Sequence, residues 1–242
     1  MARYVQKFGG SSVADSRKLY SAAERLAADH RAGHEVIGVL SAQGGSTDAL
    51  LAKARQIDPA CGGRELDALL ATGENCSVSL CALALQRLGL PVVSLSGWQA
   101  GLLTEEEHGN ARVLRLTNDR IERELKAGKI VLVAGFQGVN AKEDITTLGR
   151  GGSDTTAVAL AAFLKADRCR IFTDVDGVYD KDPRKFPDAV KFDSISYDRM
   201  LNLARNGAKV LHDRCVELAK EYGVIIEVLS GFSDRPGTLV YS

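Results

Sequence analysis

The feature that most restricts the fold of this chain is a regular alternation of short apolar runs with longer helical patterns. The runs at 36–40 and 130–134 are almost wholly apolar, as strands buried on both faces of a parallel sheet must be. Elsewhere apolar residues recur at helical spacing, for example at Leu19, Ala22 and Leu26. This alternation predicts an α/β fold with a central, mainly parallel sheet covered by helices.

The predicted elements fill the chain from residue 4 to residue 239 without a repeat, a low-complexity tract or a linker, so we expect one domain over 1–242. The predicted strands are 4–8, 36–40, 92–95, 130–134, 170–173, 225–229 and a short one at Leu239. The predicted helices are 15–31, 47–55, 64–88, 118–127, 155–164, 197–204 and 213–222.

The composition excludes several function classes. Lys and Arg (31) balance Asp and Glu (31), so no overall field attracts nucleic acid or an anionic membrane. The five cysteines form no C-x-x-C pair, which speaks against a zinc site and against a disulfide framework. The amino terminus enters a strand directly, and no uninterrupted apolar run approaches the roughly 20 residues that span a bilayer. We therefore expect a cytoplasmic protein.

Three glycine-rich loops each stand between a predicted strand and a predicted helix. They are Gly9-Gly10-Ser11-Ser12, Gly44-Gly45-Ser46-Thr47 and Gly149-Arg150-Gly151-Gly152-Ser153. The helix after each loop begins with free backbone N–H groups, and glycine lets an anion approach them closely. One such loop is equally typical of a tight turn. Three loops, with Lys7 before the first and Arg150 inside the third, predict a polyphosphate site.

The familiar phosphate and nucleophile signatures are missing from the sequence. It contains no G-x-x-x-x-G-K-[ST], no G-x-G-x-x-G, no G-x-S-x-G elbow and no protein-kinase signature. A phosphate-handling α/β protein outside those classes remains.

The motifs resemble those of aspartate kinases in the amino-acid kinase superfamily. In chain order they are KFGGSS from Lys7, SA with TD at 41–48, ATGE at 71–74, GWQAG at 97–101, HGNAR at 108–112, GFQG at 135–138, TLGRGGSD at 147–154, TDVDGVY at 173–179, DPR at 182–184 and GAKVL at 207–211. The resemblance covers Lys7 to about Leu239, and the GRGGSD block is closer to aspartate kinases than to acetylglutamate, glutamate-5, carbamate or uridylate kinases.

The resemblance implies a carbamate-kinase-like three-layer sandwich with an aspartate-binding amino-terminal lobe and an ATP-binding carboxyl-terminal lobe. It implies transfer of the ATP γ-phosphoryl group to the β-carboxylate of L-aspartate, the first step toward lysine, threonine and methionine. That carboxylate is ionised at neutral pH, so alignment and charge neutralisation are needed rather than a general base.

The resemblance also assigns residues to roles. The catalytic group is Lys7, Asp154 and Lys209, with both lysines on the phosphates and Asp154 orienting Lys7 or the substrate amine. The aspartate-binding group is Ser41, Thr47, Glu74, Arg150 and Ser153, with Arg150 on the α-carboxylate and Glu74 on the ammonium. The ATP-binding group is Lys7, Gly9, Gly10, Ser11, Thr173, Asp174, Tyr179, Arg184 and Lys209. Mg²⁺ is expected to be held largely by phosphate oxygens and water, with no protein ligand assigned.

Several alternatives stay open for these residues. Asp154 also fits a helix-start acid, Ser41 and Thr47 fit helix caps, and Lys209 fits a helix-end lysine. Lys7 also fits a surface lysine, and Glu74 fits an exposed helix glutamate. Another small-molecule kinase of the same fold and a silent nucleotide-binding subunit are the competing functions. A homodimer is expected by family analogy alone.

Most aspartate kinases continue into ACT domains that bind lysine or threonine, whereas this sequence ends just after 236–239. We expect no ACT domain within these residues, and both a natural short form and an excised catalytic part fit that expectation.

Overall fold

The structure, a computed structural model, describes residues 1–207 and 210–242. Its strands are β1 (Arg3–Phe8), β2 (Glu35–Leu40), β3 (Val92–Leu95), β4 (Leu102–Thr104), β5 (Val113–Leu116), β6 (Ile130–Ala134), β7 (Gln137–Val139), β8 (Ile145–Thr147), β9 (Arg168–Thr173), β10 (Ser194–Ser196), β11 (Ile226–Ser230) and β12 (Thr238–Tyr241). Its helices are α1 (Ser16–Arg31), α2 (Ser46–Ile57), α3 (Gly63–Arg87), α4 (Asp119–Lys126), α5 (Gly152–Phe163), α6 (Tyr197–Arg205) and α7 (Asp213–Tyr222).

The centre of the fold is an eight-stranded sheet in the order β10-β12-β11-β9-β1-β2-β6-β3. Every neighbouring pair is parallel except β11 and β12. A second, four-stranded sheet has the order β5-β4-β7-β8. The predicted α/β class and mainly parallel sheet are confirmed.

The sheet is buried on both faces because its central strands carry apolar residues on both sides. In β2, Val36 and Leu40 pack into the core beneath α1 and α3, whereas Ile37 and Val39 pack into the core beneath α4 to α7. Adjacent residues of a strand point to opposite faces, so an apolar run of this kind needs cover on each side. Three layers result, as the family resemblance implied.

Local signals set the helix boundaries. The Asp15 carboxylate caps α1 by accepting a hydrogen bond from the backbone N–H of Lys18 at 2.9 Å. Gly33, with φ +83°, follows that helix in the left-handed region that favours glycine. These are the start and stop that the sequence predicted.

Two predictions of elements need correction. Helix α5 begins at Gly152 rather than near Thr155, because its first turn needs no intrahelical N–H bonds and accepts a poor helix former. Five short strands, β4, β5, β7, β8 and β10, were not predicted. Each has three or four residues, too few for a periodic pattern to appear.

One described helix, Gly63–Arg87, is long and apolar enough by length and composition to cross a membrane. In this fold it packs against α1 and the sheet, and 44% of its most apolar stretch is buried. A core helix of a globular domain passes the same test.

Candidate active site

The loops that follow four neighbouring strands meet at one edge of the large sheet. Backbone hydrogen bonds link them: Ser41 N–H donates to Phe8 C=O at 3.1 Å, and Gly135 N–H donates to Leu40 C=O at 3.0 Å. Gly9 N–H donates to Phe172 C=O at 3.4 Å. Ligands of open α/β sheets bind at this edge, outside the carboxyl ends of the parallel strands.

The first two glycine-rich loops lie directly against each other. Gly44 N–H donates to Gly10 C=O at 3.1 Å, and a Cβ atom on Gly10 would lie only 2.8 Å from the Ala42 carbonyl oxygen. A side chain at Gly10 would therefore force the two loops apart. Glycine is needed here for the close approach of two backbones.

Lys7 and Asp154 form the ion pair at the centre of this edge. Lys7 Nζ lies 2.6 Å from Asp154 Oδ1, and the two side chains are 11% and 13% exposed. A Cβ atom on Gly9 would lie 3.4 Å from Lys7 Nζ, so the ammonium sits over the first glycine loop. Asp154 belongs to the first turn of α5. The structure thus brings together two of the three residues predicted to be catalytic.

Glu74 lies beneath the second glycine loop, on the buried face of α3. Its Oε1 accepts a hydrogen bond from Ala42 N–H at 3.0 Å, whereas its Oε2 is buried with no hydrogen-bond partner among the described residues. Burial raises the pKa of Glu74 from its ordinary value of 4.5 to about 7, against the opposing effect of the Ala42 hydrogen bond. A buried carboxylate with an unused oxygen fits a ligand that brings a donor or a positive charge.

The third glycine-rich loop packs against His212 and against the loop that follows β6. A Cβ atom on Gly151, which has φ +69°, would lie 2.4 Å from the Cβ of His212. A Cβ atom on Gly135 would lie 2.6 Å from Ser153 Oγ, so that hydroxyl packs on the loop after β6. Arg150 is exposed, and within residues 1–207 and 210–242 its guanidinium makes no ion pair. It is available to an anionic ligand.

Four of the residues predicted to bind ATP, Thr173, Asp174, Tyr179 and Arg184, lie at or after the end of β9. Tyr179 and Arg184 line a cleft of about 610 Å³ together with Val175, Gly177, Leu203, Asn206, Gly207 and Val210. The Tyr179 hydroxyl donates to Asp176 Oδ1 at 2.7 Å, which lowers the pKa of Asp176. Arg184 Nη1 lies 3.4 Å from Asp174 Oδ2 on the surface. Thr173 Oγ1 donates to the Asp174 carboxylate at 3.1 Å.

Other predicted site residues are placed less specifically. Ser41 and Thr47 are both half-buried, and Gly45 rather than either of them is the N-cap of α2. The cap alternative for these two hydroxyls is therefore wrong. Ser11 is exposed within a short 3₁₀ turn, Gly10–Ser12. Lys209 lies outside the described residues.

Sequence reasoning missed a buried carboxylate on the same helix as Glu74. Asp67 is 2% exposed and receives four hydrogen bonds from the segments around His108 and Thr147. Its spacing from Glu74, seven residues on one helical face, was a signal in the sequence.

The fold and this edge define a three-layer α/β protein with a lysine-containing, glycine-lined cleft at the carboxyl ends of its strands. The chain belongs to the amino acid kinase family, whose family model matches residues 2–230.

Among curated proteins, the aspartokinase of Mycolicibacterium smegmatis is 52% identical over 241 residues, which are 99% of this chain and 57% of that protein. A crystal structure of aspartate kinase from Synechocystis is similar with a TM-score of 0.88 and 48% identity, covering 99% of this chain and 40% of that one. E. coli aspartokinase III in complex with aspartate and ADP has a TM-score of 0.90 and 28% identity, covering 99% and 64%. The chain thus spans less than two thirds of the length of these relatives.

Proposed function

We propose that this chain is the catalytic part of an aspartate kinase, which transfers the γ-phosphoryl group of ATP to the β-carboxylate of L-aspartate. An oxygen of that carboxylate bonds to the γ-phosphorus while the bond from this phosphorus to the ADP oxygen breaks. The products are 4-phospho-L-aspartate and ADP. The relatives named above carry this activity in their names, and one was solved with aspartate and ADP.

The observation that carries the proposal is the buried Oε2 of Glu74 beneath the second glycine loop, which has no hydrogen-bond partner within residues 1–207 and 210–242. A buried acidic oxygen with no partner costs free energy unless a ligand supplies one. The ammonium of an amino-acid substrate is such a ligand. Arg150, exposed in the third glycine loop, offers the bidentate fork that the α-carboxylate of the same substrate needs.

Lys7 supplies the charge for phosphoryl transfer. Its ammonium lies over the first glycine loop and is held by Asp154 at 2.6 Å, so its position is fixed before substrate arrives. A pre-positioned cation stabilises the charge that spreads over the transferred group. The backbone N–H groups of Gly10 and Ser11, beside Gly9, would hold phosphate oxygens, and Lys209 would be the second phosphate-binding lysine.

We assign ATP to the cleft lined by Tyr179 and Arg184 and aspartate to the side of Ser41, Thr47, Glu74 and Ser153. The backbone contact between Gly9 and Phe172, next to Thr173 at the end of β9, joins the two sides. This division gives one domain, 1–242, with an aspartate-binding lobe and an ATP-binding lobe.

Mg²⁺ fits this site as an ion held by phosphate oxygens and water. Within residues 1–207 and 210–242 no group of three or more His, Cys, Asp and Glu could hold a metal ion. When bound with ATP, Mg²⁺ would neutralise phosphate charge. Cytoplasmic location and a homodimer belong to the same proposal, and light scattering on the purified chain tests the dimer.

The test measures ADP release from MgATP with L-aspartate, L-glutamate, N-acetylglutamate or UMP as acceptor. Hydroxylamine traps an acyl phosphate as the hydroxamate, and lysine and threonine are added in parallel. We expect ADP and hydroxamate to form with aspartate and with none of the other three acceptors. Turnover with another acceptor would assign a different kinase of this fold, and ATP binding without any turnover would favour a silent nucleotide-binding subunit.

The matched variants are Lys7→Ala at the site and Lys53→Ala on the exposed surface of α2. Loss of the charge at Lys7 should lower kcat on the order of a thousandfold, with a cooperative unfolding transition retained. Lys53→Ala should match the unmodified chain. Comparable rates from both variants would remove Lys7 from the mechanism.

A further inference from the structure

We infer that Asp67 is a positioning residue for aspartate binding, because it fixes the strand end from which the Arg150 loop starts; the inference rests on the proposed function. Asp67 lies near the beginning of α3 and is 2% exposed. It does not line the glycine loops itself.

The carboxylate of Asp67 gathers two segments that are distant in sequence. Thr147 donates twice, from Oγ1 to Asp67 Oδ1 at 2.6 Å and from its backbone N–H to Oδ2 at 2.9 Å. Gly109 N–H donates to Oδ2 at 3.0 Å, and His108 Nδ1 lies 3.0 Å from the same oxygen. Each oxygen is engaged, so the carboxylate is a fixed anchor rather than a ligand site.

The anchored segments support the third glycine loop directly. Thr147 C=O accepts from Ala111 N–H at 3.0 Å, which ties the two segments to each other. A Cβ atom on Gly149 would lie 2.8 Å from Asn110 Oδ1 and 3.2 Å from Gly109 C=O. Gly149 therefore packs directly against the 108–110 segment.

Arg214 of α7 also binds the 108–110 segment, together with the start of the loop that carries Arg150. Its Nη1 donates to Asn110 Oδ1 at 2.8 Å and to Leu148 C=O at 3.0 Å. The residues at the start of the loop that carries Arg150 are therefore hydrogen-bonded to both Asp67 and Arg214.

Only four residues, 148–151, separate the anchored Thr147 from the start of α5. That helix is fixed by its own core packing, with Ala157, Val158 and Leu160 fully buried. With both ends of so short a loop fixed, Arg150 has little freedom at its Cα. Loss of the Thr147 contact with Asp67 would loosen one end of the loop, and a displaced guanidinium would bind the α-carboxylate of the substrate less well.

The experiment compares two neighbouring threonines of β8. Thr147→Val removes the hydroxyl bond to Asp67, whereas Thr146→Val removes a hydroxyl contact of the same length, 2.6 Å to Thr104, on the other face of the strand. Both hydroxyls are buried, but only the bond of Thr147 is to a carboxylate, so Thr147→Val should lose more stability, and urea unfolding of the two variants measures that difference. Thr147→Ser keeps the hydroxyl and serves as the conservative rescue.

We expect Thr147→Val to raise KM for aspartate about tenfold, with kcat and KM for ATP within about twofold. Thr146→Val and Thr147→Ser should keep KM for aspartate near that of the unmodified chain. Hydrogen exchange without ligand should be faster at the amides of Leu148 and Gly152 in Thr147→Val than in Thr146→Val. Equal KM values, or equal exchange, in the two valine variants would overturn the positioning role.

The unmodified chain separates this inference from the proposed function. If it forms no ADP with aspartate, the proposed function fails, while the exchange comparison still decides whether Asp67 holds the loop. Asp67→Asn is a second variant, since it removes the negative charge and leaves one acceptor oxygen where the carboxylate had two. It should reproduce the exchange pattern of Thr147→Val.

Discussion

Asp67 and Glu74 lie seven residues apart on the buried face of α3, two helical turns or roughly 10 Å along its axis. Both are acidic, and both are at most 3% exposed. Their surroundings differ. Asp67 is engaged by four donors from two segments, whereas Glu74 has one hydrogen bond, from Ala42, and one oxygen without a partner among the described residues.

The difference separates a carboxylate that holds the protein from one that awaits a ligand. A buried charge that is fully hydrogen-bonded organises the chain around it, and a buried acid left half-satisfied destabilises the fold until something binds. Burial raises the pKa of Glu74 to about 7 because the charged carboxylate lacks enough hydrogen bonds to offset its loss of water. In the proposed function, α3 holds the Arg150 loop with Asp67 and offers Glu74 to the substrate ammonium.

Among the tests of this comparison, the largest expected effect is on activity, from Glu74→Gln. Removing the charge that pairs with the substrate ammonium should lower kcat/KM for aspartate about a hundredfold, and KM for ATP should stay near that of the unmodified chain. Steady-state kinetics with each substrate varied in turn measure the two values. An unchanged KM for aspartate would show that Glu74 does not face the substrate.

The second expected effect is on stability, from Asp67→Asn. Donors from Thr147, Gly109 and His108 would lose an acceptor, so the free energy of unfolding should fall by about 2–4 kcal/mol. Urea unfolding followed by circular dichroism gives this value. Glu74→Gln, which removes an unsatisfied charge, should cost much less at pH 8, and an equal loss in both variants would break the comparison.

A smaller effect is the pH dependence that Glu74 gives to stability. Its pKa is about 7 in the folded chain and near 4.5 when unfolded, so the folded state binds more protons between those values. The contribution of Glu74 to the free energy of unfolding therefore falls by up to about 3 kcal/mol as pH rises from about 4.5 to about 7. Above pH 7 that contribution is constant. The measurement is the difference in unfolding free energy between Glu74→Gln and the unmodified chain, at pH 5 and at pH 8. It should shift in favour of the variant at the higher pH, and a difference that does not change with pH would contradict the buried, ionising carboxylate.

Much of the fold could be predicted because its main elements announce themselves locally. Apolar runs predicted β3 and β6 at their observed boundaries, and the boundaries predicted for α7 are also the observed ones. The small sheet was missed because strands of three or four residues are held by distant partners, such as the Leu103–Val139 pairing of β4 with β7. No local pattern carries that information.

The site divides in the same way. The family motifs predicted that Asp154 orients Lys7 or the substrate amine, whereas the 2.6 Å contact between Lys7 and Asp154, 147 positions apart, is visible only in the fold. Asp67 was missed because an acid near a helix start is ordinary on electrostatic grounds alone. Its four donors come from residues 41 to 80 positions away, which the sequence does not bring together. The roles of all these residues stay predictions.

The smallest expected effect is the coupling between the two carboxylates. Asp67 and Glu74 bind different loops and share no hydrogen-bond partner, so the losses in Asp67→Asn/Glu74→Gln should add within about 0.5 kcal/mol. The matched control is Asp67→Asn/Thr147→Val, whose residues touch at 2.6 Å and should depart from additivity by more than that. Urea unfolding of the singles and doubles closes both cycles. Strong coupling between Asp67 and Glu74 would mean that α3 transmits strain from the anchor to the ligand-facing carboxylate, and the two would then act as one unit.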